Sequence, residues 1–245
     1  MSLLRYPKYK DSGVEWLGEV PEHWGIGQSR RLFALRKDRA ADGDEQLTAS
    51  QKHGVILQKD FMEREDQRVV QVFKGADILK HVEPGDFVIS MRSFQGGIEW
   101  CSVRGCISSA YVILVPCDRV HGRFFSFLLK SQTYIQALQS TSNLVRDGQA
   151  LRFENFTLVD LPLVPYAEQA LIAEFLTRET AKIDALVAEQ RRLIELLKEK
   201  RQAVISQAVI KGLNPHAPMK PSGIEWLGEV PKHWEVIKIG RRIEL

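Results

Sequence analysis

Residues of the types that carry out chemistry occur at several points in this chain, and their spacing decides against most reactions. Glu83 and Asp86 flank Pro84-Gly85. A metal-dependent nuclease needs clustered carboxylates with a lysine close by to hold Mg²⁺ and its water, and no Glu-x-Lys follows Asp86. The pair reads as a turn. Gly96-Gly97 has no lysine behind it to meet a phosphate. A methyl-donor site is missing too: no Gly-rich loop joins a strand-like run to a helical one, and there is no Asn/Asp-Pro-Pro-aromatic motif. Asn214-Pro-His-Ala comes nearest, and Asn and Pro chemistry explains it as a turn after a helix. The histidines are scattered; His23 and His233 sit beside Trp24 and Trp234, where a structural role fits better than metal binding. Cys101, Cys106 and Cys117 are odd in number and lack paired ligand spacing, so they read as reduced thiols of a cytoplasmic protein. The expectation is a non-catalytic chain with no metal and no cofactor.

The elements that carry these residues are announced by a repeat. Ser12-Gly-Val-Glu-Trp-Leu-Gly-Glu-Val-Pro-Glu-His-Trp24 returns as Ser222-Gly-Ile-Glu-Trp-Leu-Gly-Glu-Val-Pro-Lys-His-Trp234. The thirteen positions differ only at Val14/Ile224 and Glu22/Lys232, and the offset is 210 residues. Solenoid repeats run roughly 20–50 residues, so the unit repeated here is a whole domain with its connector. The 245 residues accommodate one large domain, or a compact domain plus an extended element. With 44% hydrophobic residues a sizeable core is available, and the net charge of +3 is too weak to identify a polyanionic partner. No apolar run approaches the ~18 residues of a membrane span, and the opening MSLLRYPKYKDSG has no apolar export signal.

Between the copies the pattern changes once. From about Gly25 to Pro165 it is mixed, with β-rich runs bounded by turn residues: 86–91 after Pro84-Gly85, and 110–115 before Pro116. Phe124, Phe127, Leu128, Ile135 and Leu138 recur at near-helical spacing, which predicts a helix over 123–139. From Ala167 to Lys211 no Gly or Pro interrupts a run of strong helix formers, and Gly212, Pro215 and Pro218 end it. Such a helix is about 65 Å long at 1.5 Å per residue, too long for the interior of a small globule. Ile172, Leu176, Ile183, Leu186, Leu193, Leu197 and Val204 follow alternating steps of four and three, with Glu179, Gln190 and Lys200 at intervening seam positions, so the seam is imperfect. Phe175, Val187, Ile194 and Ile205 widen the stripe, so the helix needs a partner helix or subunit along much of its length. Its charges read as a solvated face, with a phosphate-facing ridge as the alternative. The fold class is therefore α+β: a globular mixed α/β domain followed by a long, coiled-coil-like helix.

These residues carry a resemblance. Leu161-Pro-Leu-Val-Pro-Tyr-Ala-Glu-Gln-Ala-Leu-Ile-Ala-Glu-Phe-Leu176, Thr180-Ala-Lys-Ile-Asp184, Ile194-Glu-Leu-Leu-Lys-Glu-Lys-Arg201 and Ala203-Val-Ile-Ser-Gln-Ala-Val209 together resemble the conserved spacer of type I restriction–modification specificity subunits. The repeated Gly-Val-Glu-Trp-Leu-Gly-Glu-Val-Pro-Glu-His-Trp motif looks like the start of that family's target recognition domain, and 85–92 with 105–111 resemble its central strands. The resemblance implies a recognition domain over 1–166, a helical spacer or dimerisation region over 167–212, and over 213–245 a linker with the start of a second, truncated repeat. It also implies that the chain binds double-stranded DNA and methyltransferase (modification) subunits, with a restriction (translocase and nuclease) subunit in the full complex. Family members usually read two half-sites with two domains. One domain therefore implies a homodimer, or a piece of a longer chain. The rival readings are a coiled-coil protein-binding adaptor and a fragment that sequesters methyltransferase subunits.

If the domain reads DNA, Arg, Lys, Asn or Gln meet base edges while Ser, Thr and basic residues meet phosphates. The candidates lie in three polar clusters where a loop follows a regular element: Lys52 and His53; Arg92, Ser93 and Gln95; and Asn143, Arg146, Gln149 and Arg152. Arg92 leads them, because it leaves a β-run directly into a Gly-containing loop.

Overall fold

The computed structural model describes residues 6–66, 78–90, 93–141 and 151–237. In chain order the elements are β1 (Tyr9–Asp11), β2 (Glu19–Pro21), β3 (Gly25–Gln28), β4 (Phe33–Leu35), β5 (Leu47–Ser50), β6 (Gly54–Leu57) and α1 (Gln58–Glu65). Then come β7 (Lys80–Val82), β8 (Phe87–Ile89), α2 (Ser93–Gly96), β9 (Glu99–Trp100), β10 (Gly105–Ile107) and β11 (Val112–Pro116). The chain continues through α3 (Gly122–Leu128), α4 (Gln132–Ser140), α5 (Phe153–Thr157), β12 (Asp160–Leu163), α6 (Tyr166–Lys211), β13 (Met219–Pro221) and β14 (Glu229–Pro231). Two compact units divide it, Met1–Thr177 and Arg178–Leu245, so the first turns of α6 belong with the globular unit.

The first unit is built around an antiparallel sheet of order β4-β11-β8-β9. Alternate residues of a strand face opposite sides, and here both sides are cores. Phe87 and Ile89 of β8 enter one apolar cluster while Val88 enters the other; β11 divides Leu114 and Ile113 in the same way. This is why Phe87-Val88-Ile89 is apolar at every position rather than alternating. The larger cluster centres on Phe33, whose ring meets Phe87, Phe125 and Phe156 edge-to-face at 5.4, 5.4 and 5.5 Å. Such pairs each add roughly 0.5–1.5 kcal/mol beyond burial. The smaller cluster gathers Leu47, Val55, Val82, Val88, Cys101, Ile107 and Ile113, and brings the β5-β6 and β7-β10 pairs onto the sheet.

The helix expected over 123–139 is two helices. Leu129 to Ser131 break it, because the Ser131 hydroxyl accepts from the Tyr134 amide and caps α4 as a new start. The spacing misled because both helices bury apolar residues into the same cluster: Phe124 and Phe125 from α3, Tyr134 and Leu138 from α4. The long helix does form, over 46 residues. Pro165 precedes it and its carbonyl accepts from the Glu168 and Gln169 amides, while Gly212, at φ +76°, closes it.

Both copies of the repeat fold alike. In each, a β-hairpin pairs in one register, Tyr9↔Pro21 and Met219↔Pro231. The Ser12 amide donates to the Gly18 carbonyl and Ser222 to Gly228, each at about 3 Å. Gly18 and Gly228 adopt φ of +60° and +62°, a left-handed conformation that side chains disfavour. Val20 and Val230 are both buried.

Candidate nucleic-acid interface and partner helix

Two of the three polar clusters predicted to meet DNA lie against each other. The β5-β6 pair leaves residues 51–53 as its loop, with Ser50 opposite Gly54. The Ser50 hydroxyl accepts from the Lys52 and His53 amides at 3.3 and 3.4 Å. From a distant part of the chain, α2 packs Gly96 so closely on the Gln51 side chain that a Cβ there would fall 2.5 Å from it. The next residue, Gly97, has φ +81° and leaves only 2.5 Å between its missing Cβ and the Leu129 carbonyl oxygen. The loop, α2 and the α3-α4 joint are thereby fixed as one surface. Lys130 at that joint sends its ammonium to Glu99, Nζ to Oε2 2.6 Å. Burial pushes the Glu99 carboxyl above its ordinary pKa, against the pull of Lys130.

Within this surface the candidates differ. Lys52 Nζ and His53 Nε2 both meet Glu65 Oε1 from the last turn of α1, at 2.6 and 2.7 Å. Those contacts hold the Glu65 carboxyl below its usual range, so a phosphate at this loop competes with an internal carboxylate. Gln95 is exposed. Ser93 corrects the expectation: it is 1% exposed, and its hydroxyl accepts from the Ser90 amide at 2.8 Å. It sets the start of α2 and has no surface to offer DNA. Arg152 is exposed just before α5. Arg92, Asn143, Arg146 and Gln149 lie outside the described residues. Lys130 belongs to the same surface and was not anticipated, because its neighbours in space, Gly97 and Glu99, lie more than thirty residues upstream.

A second polar centre joins the leading hairpin to the start of α6. Glu168 accepts from Trp24 Nε1 at 3.1 Å, pairs with His23 Nε2 at 2.9 Å, and accepts from the Tyr6 hydroxyl. Burial alone raises a carboxyl pKa, but these donors outweigh it and hold Glu168 below the ordinary value. Burial and the adjoining carboxylate push the Tyr6 hydroxyl up to about 12. The indole of Trp16 stands edge-on to Tyr134 at 5.4 Å and donates to the Asp160 carbonyl at 3.1 Å. A groove of about 590 Å³ runs beside it, lined by Gly13, Glu15, Trp16, Gln136, Ala137 and Asp160 among others. The histidine at the hairpin thus has the structural neighbourhood expected for it, and its partner is a carboxylate 145 residues away.

Along α6 the anticipated seam divides. Ile172 packs against the domain's own core cluster, next to buried Ala173, so it does not serve as a partner-facing residue. Leu176 is half-buried. Beyond it Ile183, Leu186, Leu193, Leu197 and Val204 are 46–63% exposed, and Gln190 is exposed among them. Val187, Ile194 and Ile205 lie exposed on the same helix. An apolar stripe this long is unusual on a soluble monomer.

A mixed domain hands over to one long helix with an exposed apolar stripe, and a second copy of the domain's opening hairpin follows. The sequence relatives are specificity subunits of type I restriction enzymes. The chain is 32% identical over 131 residues to the specificity subunit of the Escherichia coli type I restriction enzyme EcoBI, covering 52% of this chain and 27% of that one. It is 18% identical over 251 aligned residues to the putative type I restriction enzyme MjaX specificity subunit of Methanocaldococcus jannaschii, covering 97% and 57%. The fold matches a solved structure described as the basis of complex assembly and conformational transition of the type I R–M system, at TM-score 0.55, 18% identity, and coverage of 84% of this chain and 49% of that one. No protein-family model matches. The chain is a relative of the type I restriction specificity subunits, and it spans between about a quarter and rather more than half of the length of the curated relatives it matches.

Proposed function

We propose that this chain is a DNA sequence-recognition subunit of a type I restriction–modification complex. Its domain (1–166) reads one half of a bipartite site. Its helix (167–212) pairs with a second copy and offers methyltransferase subunits a surface, while residues 213–245 open a second repeat. The observation that carries this reading is the order hairpin, domain, exposed-stripe helix, hairpin in a relative of specificity subunits. The reading leaves catalysis to the methyltransferase and restriction subunits and places the chain in the cytoplasm, where its three free cysteines stay reduced. Among the described residues no helix is long and apolar enough to cross a membrane.

Charge supports an antiparallel pair. From 166 to 189, α6 carries Glu168, Glu174, Glu179, Asp184 and Glu189 against Arg178 and Lys182. From 190 to 211 it carries Arg191, Arg192, Lys198, Lys200, Arg201 and Lys211 against Glu195 and Glu199. Antiparallel alignment sets the acidic half of each copy on the basic half of the other; parallel alignment sets like on like. Two domains related by a two-fold axis then present one reading surface twice. Of the surface candidates, Lys52, His53, Gln95 and Arg152 are described side chains, and Arg92, Asn143, Arg146 and Gln149 complete the proposal.

Selection from random duplex DNA, using the chain with its methyltransferase partner, tests the reading. The expected product is an interrupted palindrome bound less tightly as salt rises. A contiguous or asymmetric site would sink the symmetric pair, and no preference at all would favour a fragment that sequesters methyltransferase subunits. Light scattering tests the pairing: the expected mass is twice the 27.9 kDa of one chain, reverting to one chain in Leu186→Glu/Leu193→Glu.

A further inference from the structure

Of the charged pairs at the candidate DNA surface, Lys130 and Glu99 differ most in depth. The Lys130 side chain is 34% exposed and that of Glu99 is 3% exposed, with Nζ and Oε2 2.6 Å apart. The other carboxylate oxygen, Oε1, is buried and has no hydrogen-bond partner among the described residues. A carboxylate taken out of water is costly unless it is paired and its lone pairs are satisfied. Glu99 meets half of that requirement, and does so with a cation that itself borders solvent. A pair kept for the fold alone is expected to satisfy both oxygens.

The ammonium also stands where a phosphate would pass. A Cβ on Gly97 would fall 2.9 Å from the Lys130 Cα, and one on Gly54 would lie 3.9 Å from Glu99 Oε2. Lys130 thus shares its ground with loop 51–53 and α2, which carry the candidates Lys52, His53 and Gln95. We propose that Lys130 is a phosphate-contacting residue, and that Glu99 is a positioning residue that holds its ammonium until duplex DNA takes it over. The inference rests on the DNA-reading function proposed above. A lysine ammonium on its flexible stem can turn from one oxygen anion to another, and its arrival at a phosphate releases a counterion from the duplex. Left without its cation, the buried Glu99 carboxylate binds a proton from solvent.

A proton-linked exchange has a direction. Burial raises the Glu99 pKa and Lys130 opposes it. Withdrawing Lys130 ends the opposition, so the pKa is higher in the complex than in the free chain. Binding takes up a proton between the two values, and affinity rises as pH falls through that window. Around Glu99, β8 sets apolar Val88 opposite it and α2 carries no charge. Loop 51–53 brings Lys52 and His53, both bound to Glu65 of α1. Cys101 on the following residues is buried, its thiol pushed up to about 11. Histidine titrates near neutral pH, so His53→Gln is the common background of the test.

The measurement is anisotropy of a labelled duplex of mixed sequence with the full-length chain, across pH and salt. Lys130→Met is expected to weaken binding several-fold and to reduce the slope of log affinity on log salt by about 0.9, one phosphate contact. Glu99→Gln keeps the shape and frees the ammonium. It is expected to tighten binding several-fold near neutral pH, to leave the salt slope unchanged and to abolish the gain in affinity on acidification. Once Lys130 is Met, Glu99→Gln is expected to add nothing. The double variant leaves no unpaired carboxylate at this site, so its salt slope against Glu99→Gln reads the contact even where Lys130→Met alone fails to fold. An unchanged slope on losing Lys130 would overturn the phosphate contact. Equal tightening by Glu99→Gln with and without Lys130, or a pH profile that Glu99→Gln leaves intact, would overturn the positioning role. Either result leaves the DNA reading standing. No binding of the duplex by the chain with its native His53, alone or with its methyltransferase partner, would overturn the DNA reading and this inference with it.

Discussion

The two hairpins of this molecule are made of almost the same residues and fold almost identically, yet among the described residues Trp16 of one is half-buried and Trp226 of the other is 78% exposed. What is common to both is local: Gly18 and Gly228 in the left-handed region, the Ser12 and Ser222 hydroxyls bonded to their own turns, and a buried valine on the second strand. These interactions span a few residues and need no neighbour. What differs is distant. Tyr134, Asp160 and Glu168 meet the leading copy from more than a hundred residues away, and no such covering lies over Trp226 among the described residues. Shape is thus written in the motif, while its work is set by the surface that receives it.

The sharpest way to break the comparison is to remove the same side chain from each copy. Trp16→Ala deletes a half-buried indole packed on the main core and is expected to cost about 2–3 kcal/mol, below the ~3–5 kcal/mol of a fully buried aromatic. Trp226→Ala is expected to change the stability of the chain by less than about 0.5 kcal/mol. Paired urea melts read the difference. Equal losses would mean that Trp226 is covered after all, and would remove the contrast between the two copies.

A smaller effect lies in the Glu168 centre, and pH separates it from the rest of the domain. Glu168→Gln loses the charge in its bonds to His23, Trp24 and Tyr6, at a cost of about 1–2 kcal/mol at neutral pH. Because the folded pKa of Glu168 is depressed, its contribution is present above the ordinary carboxylate pKa and is lost as pH falls through the folded value. The acid limb of wild-type stability should therefore be shallower in the variant. The alkaline limb provides an internal control. His81 Nδ1 lies 2.6 Å from Asp44 and its Nε2 2.7 Å from Glu83. Burial disfavours the charged ring, but the two carboxylates outweigh it and raise the pKa. That contribution is complete below the unfolded histidine value of about 6.5 and fades as pH rises through the folded one. His81→Gln should flatten this limb, and because His81 also helps hold the Asp44 carboxyl below its ordinary value, it should make the acid limb shallower as well. Thermal melts across pH 3–9 would refute the assignment if Glu168→Gln altered the alkaline limb.

How far the sequence reached follows the same division between local and distant causes. The α6 helix was legible to within a residue at each end, because helix formers, Pro165 and Gly212 are local signals. The β8 and β11 runs were legible as strands, but not that each is buried on both faces, since that depends on which elements later cover the sheet. The break between α3 and α4 was missed: a single capping Ser131 does not interrupt apolar spacing that continues into the same core. Ile172 fitted the seam by spacing and is spent on the domain core, because a helix leaving a globule uses its first turns to pack there. Ser93 looked like an exposed loop hydroxyl and is buried, a distinction residue type does not carry. The adjacency of 51–53 with α2 and Lys130 was beyond reach, because it is made by the tertiary packing of Gly96 and Gly97.

The smallest effect concerns Tyr134, on which the leading hairpin's Trp16 packs. The Tyr134 side chain is fully buried, and its hydroxyl has no hydrogen-bond partner among the described residues. Burial drives the phenol pKa far up, so it stays neutral and its proton has nothing to reach. An unsatisfied buried hydroxyl costs about 1–3 kcal/mol of desolvation, partly offset by the packing of the atom itself. Tyr134→Phe keeps the ring that Trp16 meets edge-on at 5.4 Å and removes only the oxygen. It is therefore expected to leave stability unchanged or raise it by up to about 1 kcal/mol, and to leave Trp16→Ala as costly as before. A double-mutant cycle between the two positions should show an interaction energy near zero for the hydroxyl. A loss of stability in Tyr134→Phe would mean that the oxygen is satisfied, and a coupling above about 0.5 kcal/mol would mean that it helps to hold Trp16. In the second case the domain would hold the leading hairpin through a polar contact as well as through shape.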